Sequence, residues 1–117
     1  MKRKRILLVE DEVKVQDYNK YLLEKEGFAA ETAMTLAEAR TAAERQTPDI
    51  IVLDIGMPDG SGLDFLREFK QTSNIPVLLL TGYNKNEDVL AGFERGCNDY
   101  LKKPYAFPEL LARIKTF

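Results

Sequence analysis

Four short apolar segments of this sequence are each followed by polar side chains that can do chemistry. In chain order, these are Glu10, Asp11 and Glu12 after the first segment, Asp54 after the second, Thr81 after the third and Lys103 after the fourth. If the segments are parallel β-strands, their carboxyl ends lie along one edge of a sheet, and these side chains face a common pocket. We therefore expect a site made of carboxylates, one hydroxyl and one ammonium group.

The carboxylates of this pocket predict a divalent cation. Closely spaced carboxylates oppose one another's ionisation, and a cation relieves the repulsion. The chain contains no histidine, so oxygen atoms are the expected ligands, and these favour Mg²⁺ or Mn²⁺ over zinc. Mg²⁺ typically binds one or two carboxylates together with a phosphate oxygen of the substrate, and this pocket offers such carboxylates.

A cation beside a carboxylate in turn predicts phosphoryl transfer. Asp54 has the chemistry of a nucleophile that forms an acyl phosphate. Charge develops on the phosphoryl oxygens during transfer, so catalysis is mainly positioning and charge neutralisation. Lys103 supplies a positive point charge, and Thr81 supplies a hydrogen bond to a phosphoryl oxygen.

The apolar segments alternate with stretches of helical periodicity. We predict strands at residues 6–10, 28–32, 50–53, 77–80 and 100–101, and helices at 13–26, 35–46, 63–70, 84–95 and from 109 onward. Thr35 with Glu38, and Asn84 with Glu87, have the spacing of N-terminal helix caps. Strands separated by helices indicate right-handed crossovers. We predict an α/β fold: a flavodoxin-like, doubly wound sheet of five parallel strands in the order 2-1-3-4-5, with five helices.

Composition narrows the class of protein further. A chain of 117 residues suits one domain with one core, and we interpret residues 1–117 as that domain. The net charge of -2 gives no strong field, so it does not argue for binding to nucleic acid or to a membrane, and we expect neither from this domain. No apolar run approaches the ~20 residues of a membrane helix. The single cysteine, Cys97, cannot form an internal disulfide, which fits a cytoplasmic location.

Four motifs resemble the receiver domain of two-component response regulators over essentially the whole chain. They are ILLVEDE at residues 6–12, LDIGMPDGSG at 53–62, LLLTGY at 78–83 and DYLKKP at 99–104. All four occur in order and at the expected spacing, so the resemblance is highly specific. It implies a regulatory phosphoprotein that catalyses only its own phosphorylation and dephosphorylation.

The resemblance implies a role for each acidic residue. Asp54 is the phosphoacceptor, and a sensor histidine kinase supplies the phosphoryl group from a phosphohistidine. Asp11 and Asp54 ligate the Mg²⁺ (or Mn²⁺), the backbone carbonyl of Gly56 completes the protein ligands, and Glu10 acts through a water molecule.

It also implies a phosphoryl-binding pair and a switch. Thr81 and Lys103 contact the phosphoryl group, while Thr81 and Tyr100 rearrange together as the switch. The bond between Lys103 and Pro104 is expected to be cis, a form available at modest cost only before proline.

Residues 96–115 resemble most closely the subfamily whose receivers precede a winged-helix DNA-binding domain, which implies control of transcription. Asp99 and Arg113 are candidate contacts in a phosphorylation-dependent homodimer. Phe117 falls about three turns into the last helix, so we expect a fragment that lacks a C-terminal output domain. A stand-alone receiver is the alternative.

Three other functions are weighed against this one. A phosphohydrolase of the haloacid-dehalogenase type requires a second aspartate two residues after the nucleophile, where this chain has Gly56. A flavodoxin-like cofactor binder would need a phosphate loop where residues 10–12 carry negative charge. A pseudo-receiver that acts only as an interaction module remains open, and metal-dependent phosphorylation separates it from a working receiver.

Overall fold

The structure, a computed structural model, describes residues 3–82 and 86–117. Within these residues, the parallel strands are β1 (Arg5–Val9), β2 (Ala29–Ala33), β3 (Ile50–Asp54), β4 (Val77–Thr81) and β5 (Asp99–Lys102). Their order in the sheet is β2-β1-β3-β4-β5, which confirms the predicted doubly wound topology. The predicted strands agree with these bounds to within one residue at each end.

Helices connect the strands and cover both faces of the sheet. In the described part of the chain they are α1 (Val13–Lys25), α2 (Leu36–Arg45), α3 (Gly62–Thr72), α4 (Asn86–Glu94) and α5 (Phe107–Ile114). Gly27 and Gly96 follow α1 and α4 with φ angles of 97° and 102°, a conformation typical of glycine after a helix end. The predicted cap Asn84 lies outside the described residues. None of the described helices combines the length and the apolar character that crossing a membrane requires.

The predicted capping box at the start of α2 is confirmed. The Thr35 hydroxyl oxygen accepts a hydrogen bond from the Glu38 amide at 3.0 Å. The Glu38 carboxylate accepts one from the Met34 amide at 2.9 Å, one residue earlier than in the usual box. The local sequence therefore fixes where α2 begins.

Each strand divides its side chains between two hydrophobic cores, one on each face of the sheet. On one face, Leu7, Val9, Ile51, Leu53 and Leu79 pack with Leu36 of α2 and Phe65 of α3. On the other face, Ile6, Leu8, Val52 and Leu78 pack with Leu23 of α1 and with Leu110 and Ile114 of α5. Burial of one such side chain contributes about 1.5–3 kcal/mol, so the two cores together fix the strands and the edge at which they end.

Between β3 and α3 the chain forms a small antiparallel hairpin, which the predicted strands did not include. Gly56–Met57 pairs with Gly60–Ser61, and we call residues 56–61 the β3–α3 hairpin. Gly62 then begins α3 directly against β3. A Cβ atom on Gly62 would lie 2.3 Å from the Asp54 carbonyl oxygen, so only glycine fits between these two elements.

Candidate functional site

The carboxyl ends of four strands bring the predicted site residues to one edge of the sheet. Glu10 follows β1, Asp54 ends β3, Thr81 ends β4, and Lys103 follows β5. The parallel register sets Asp54 beside Leu80 of β4. These side chains therefore approach one another because the strands are parallel and adjacent, as the sequence pattern predicted.

Glu10, Asp11 and Asp54 form an acidic cluster at this edge. Each contributes a carboxylate oxygen, and the three oxygens lie within 4.8 Å of one another. Glu10 is 3% exposed and Asp54 is 6% exposed, whereas Asp11 faces solvent. Two carboxylates are thus removed from water while the third stays open to an approaching ligand.

Lys103 provides the positive charge that faces this cluster. Its ammonium group donates a hydrogen bond to Glu10 Oε2 at 2.9 Å and a second one to Asp54 Oδ2. Burial by itself would lower the pKa of Lys103, but the hydrogen bonds and charges of Asp54 and Glu10 outweigh it and raise that pKa. The peptide bond between Lys103 and Pro104 is cis, as expected. Lys103 is therefore positively charged at every physiological pH.

The pocket nevertheless holds more negative charge than one lysine compensates. The pKa of Glu10 is raised to about 7, first by burial and then by the hydrogen bond and charge of Asp54, while Lys103 acts in the opposite direction. A carboxyl group with such a pKa is one whose ionised form lacks sufficient stabilisation. A second positive charge at the pocket would supply it.

The donor atoms fit a hard divalent cation. The cluster offers carboxylate oxygens only, because the chain has no histidine and its one cysteine lies buried in the core. Gly56 also lines this pocket, and its amide donates to Asp54 Oδ1 at 3.2 Å, which holds the carboxylate toward the β3–α3 hairpin. Oxygen donors of this kind suit Mg²⁺ or Mn²⁺.

The hydroxyl of Thr81 is buried and, within the described part of the chain, has no hydrogen-bond partner. Thr81 is 0% exposed, and its Oγ1 atom finds no donor or acceptor among the described residues. A buried polar atom without a partner costs about 1–3 kcal/mol. An orphaned hydroxyl at the end of the strand next to Asp54 fits a group that gains its partner when a ligand occupies the pocket.

Tyr100, the predicted partner of Thr81 in the switch, lies half-buried on β5. Its ring meets the ring of Phe93 edge to face, with centroids 5.6 Å apart and an interplanar angle of 89°. Phe93 is 48% exposed, so the pair forms part of the surface between α4 and β5. The exchange between two positions of Tyr100 stays a prediction.

Asp99 and Arg113, the candidate dimer contacts, are paired with each other within the chain. Arg113 Nη1 donates to both carboxylate oxygens of Asp99, at 3.1 and 3.0 Å. The same guanidinium lies 3.7 Å from a carboxylate oxygen of Glu109, one turn earlier on α5. The two residues are therefore close together on the β5–α5 surface, and their role between two chains stays a prediction.

Sequence reasoning missed a buried polar contact next to the pocket. Asn19 on α1 is 5% exposed, and its Nδ2 donates to the Tyr105 hydroxyl at 3.1 Å. Tyr105 lies two residues after Lys103, so this contact joins α1 to the segment that carries the lysine. An asparagine at a buried helical position, one turn after the equally buried Gln16, was the signal that could have indicated it.

Fold and pocket together define a receiver domain. The response regulator receiver domain family matches residues 6–115, and the chain belongs to that family. It is thus the receiver domain of a two-component response regulator, a regulatory module related to transcriptional regulators.

Individual relatives and a solved structure agree with membership of the receiver domain family. The chain is 37% identical over 111 residues to the KDP operon transcriptional regulatory protein KdpE of Escherichia coli, covering 95% of this chain and 49% of that protein. It is 39% identical over 116 residues to the phosphate regulon transcriptional regulatory protein PhoB of the same organism, covering 97% and 51%. The chain spans about half the length of these relatives. A solved receiver domain protein (CheY-like) from Methanospirillum hungatei superimposes with a TM-score of 0.92 at 31% identity, covering 98% and 93%.

Proposed function

We propose that this receiver accepts a phosphoryl group on Asp54 from the phosphohistidine of a sensor histidine kinase, in a reaction that depends on Mg²⁺ or Mn²⁺. The observation that carries the proposal is the set of groups around the Asp54 carboxylate. This carboxylate is buried and accepts a hydrogen bond from the Lys103 ammonium. The neighbouring strand ends at Thr81, whose hydroxyl has no partner among the described residues.

In the proposed step, a carboxylate oxygen of Asp54 attacks phosphorus while the bond from phosphorus to the histidine nitrogen breaks. The nitrogen retains the electron pair of that bond, and an acyl phosphate forms on Asp54. Attack by water on phosphorus later releases inorganic phosphate and restores the carboxylate. Asp11, Asp54 and the Gly56 carbonyl would hold the cation directly and Glu10 through water, and the bound cation supplies positive charge opposite the phosphoryl oxygens.

Lys103 exchanges partners in this scheme. In the unphosphorylated chain its ammonium group bonds Asp54 and Glu10. Phosphorylation adds about -1.5 to -2 charges, and the lysine then pairs with a phosphoryl oxygen within the same pocket. Because its pKa is raised, Lys103 stays charged throughout and contributes to both states.

Thr81 converts the local charge into a change of shape. Its hydroxyl gains a hydrogen bond to a phosphoryl oxygen and moves toward Asp54, which vacates space beside β5. Tyr100 then turns inward, away from its contact with Phe93, and the surface formed by α4, β5 and α5 changes. This surface is the proposed output surface. It would form a phosphorylation-dependent homodimer that uses Asp99 and Arg113. The dimer would in turn control a C-terminal DNA-binding domain of the full protein, in the cytoplasm.

The test is phosphorylation by a small donor, read by intact mass. The chain is incubated with Mg²⁺ and acetyl phosphate, beside a metal-free sample and the Asp54→Asn variant. We expect a gain of one phosphoryl group in the complete reaction alone. An unchanged mass at every donor concentration would contradict the proposal and favour a pseudo-receiver that works only as an interaction module.

A further inference from the structure

The N-terminus of α2 is capped from a distant part of the chain. Asp59, at the tip of the β3–α3 hairpin, accepts hydrogen bonds from the Leu36 amide at 2.8 Å and from the Ala37 amide at 3.0 Å. Thr35 caps only the next amide, that of Glu38. One carboxylate, 23 residues away in sequence, thus satisfies two of the amides that a helix start leaves free.

Electrostatics favours this contact. A carboxylate at a helix N-terminus interacts favourably with the positive end of the helix dipole. The hydrogen bonds from Leu36 and Ala37 lower the pKa of Asp59 below its ordinary value. Asp59 is therefore ionised at neutral pH and available as a double acceptor, although its side chain lies at the surface.

The cap also anchors the hairpin that carries Gly56. At the base of the hairpin, the Gly62 amide donates to the Ile55 carbonyl at 2.7 Å. At the tip, Asp59 binds α2. Gly56 lies between these two anchors, and its strand of two residues pairs only with Gly60–Ser61 of the same hairpin, so its position depends on them.

We propose that Asp59 is a positioning residue for the cation site: by tying the hairpin to α2, it holds the Gly56 carbonyl at the rim of the acidic pocket. This inference rests on the proposed function, in which that carbonyl is a ligand. Asp59 itself lies outside the acidic cluster and acts through the backbone. Its loss therefore weakens cation binding without removing a ligand.

The experiment measures Mg²⁺ binding by isothermal titration calorimetry in the unsubstituted chain, Asp59→Ala, Asp59→Asn and Thr35→Ala. Thr35→Ala is the matched control, because it removes the other cap of the same helix and leaves the hairpin contacts intact. We expect the Kd of Asp59→Ala to rise about tenfold, as for other residues that orient metal ligands, and that of Thr35→Ala to stay unchanged. Asp59→Asn keeps one acceptor oxygen without the charge, so its Kd should lie between these two.

A second readout needs no cation. Hydrogen exchange at the Gly62 amide reports on the base of the hairpin, and we expect faster exchange in Asp59→Ala but not in Thr35→Ala. Equal Kd values for Asp59→Ala and the unsubstituted chain would overturn the inference, as would an equal loss of affinity in Thr35→Ala. If the unsubstituted chain bound no Mg²⁺, the proposed function would fail instead, and hydrogen exchange would still decide whether Asp59 holds the hairpin.

Discussion

Asn19 and Tyr105 are joined by a partly buried hydrogen bond that links α1 to the segment after Lys103. The contact bridges 86 residues of sequence, and it lies beside the pocket without contributing an atom to it. Removing either partner leaves the other with an unsatisfied polar group in a place where water has little access.

We expect Tyr105→Phe to lower the free energy of unfolding by about 1–2 kcal/mol, because the Asn19 amide loses its acceptor. Urea denaturation measures the change. Tyr21→Phe is the control, since Tyr21 is 60% exposed, and it should leave the stability unchanged. The prediction is wrong if the two variants behave alike.

Thr81→Val should separate stability from signalling. The variant removes a buried hydroxyl that has no partner among the described residues, so the unphosphorylated domain should be as stable as the original or more stable by about 1 kcal/mol. The same variant should lose the phosphorylation-dependent dimer, because valine has no hydroxyl to form a hydrogen bond to the phosphoryl group and move toward Asp54. Urea denaturation and size-exclusion chromatography with acetyl phosphate give the two readings, and a destabilised monomer would argue against an orphaned hydroxyl.

Arg113→Ala tests the proposed dimer surface. The ion pair with Asp99 is partly exposed, so its loss should change monomer stability by less than about 1 kcal/mol. In the presence of Mg²⁺ and acetyl phosphate, size-exclusion chromatography should show loss of the dimer. Arg40→Ala is the control, because its ion pair with Glu68, at 3.0 Å, links α2 to α3 away from that surface. Equal dimerisation in both variants would count against the assignment.

The thiol of Cys97 should react slowly while the domain is folded. Cys97 is 7% exposed, and burial raises its pKa to about 11 from an ordinary value of 9.0. At about pH 8 the folded chain therefore holds about 100-fold less thiolate than an ordinary cysteine would. Labelling with iodoacetamide, followed by mass, should be slow in buffer and fast in urea, and equal rates would contradict the burial of this side chain.

Asp59 should stabilise the folded chain at neutral pH and lose this effect in acid. Its pKa is lowered in the folded chain relative to 3.8, the ordinary value, so the folded state binds this proton less readily than the unfolded state does. The contribution is therefore present above pH 3.8 and lost as the pH falls below it through the folded pKa. We expect the stability difference between the unsubstituted chain and Asp59→Ala to shrink on acidification, as measured by urea denaturation at a series of pH values. A difference that persists at the lowest pH would exclude the ionised carboxylate as its source.

The sequence predicted the sheet and the main site residues because both depend on local pattern. Short apolar runs such as residues 77–80 are typical of buried parallel strands, and such strands bring whatever follows them to one edge. Glu10, Asp54 and Lys103 could be assigned to one pocket for that reason.

The partners in the remaining contacts could not be predicted, because these contacts join residues without a shared periodicity. Asp59 reaches α2 across a hairpin of two-residue strands, which is too short to leave a strand pattern. Asn19 and Tyr105 are 86 residues apart in sequence and meet only in the folded chain. Both contacts depend on tertiary packing, and residue type alone does not select one polar partner from several.

The close approach of Gly62 to the Asp54 carbonyl has a consequence for the direction in which a signal can travel. With only a hydrogen atom between them, α3 has no free space in which to move toward β3. A displacement that begins at Asp54 would meet a rigid boundary on that side and, on the other, the Thr81 hydroxyl, which has no partner among the described residues. If Asp54 is phosphorylated as proposed, we expect the asymmetry of these two neighbours to direct the change toward α4 and β5, because it is already present in the unphosphorylated domain.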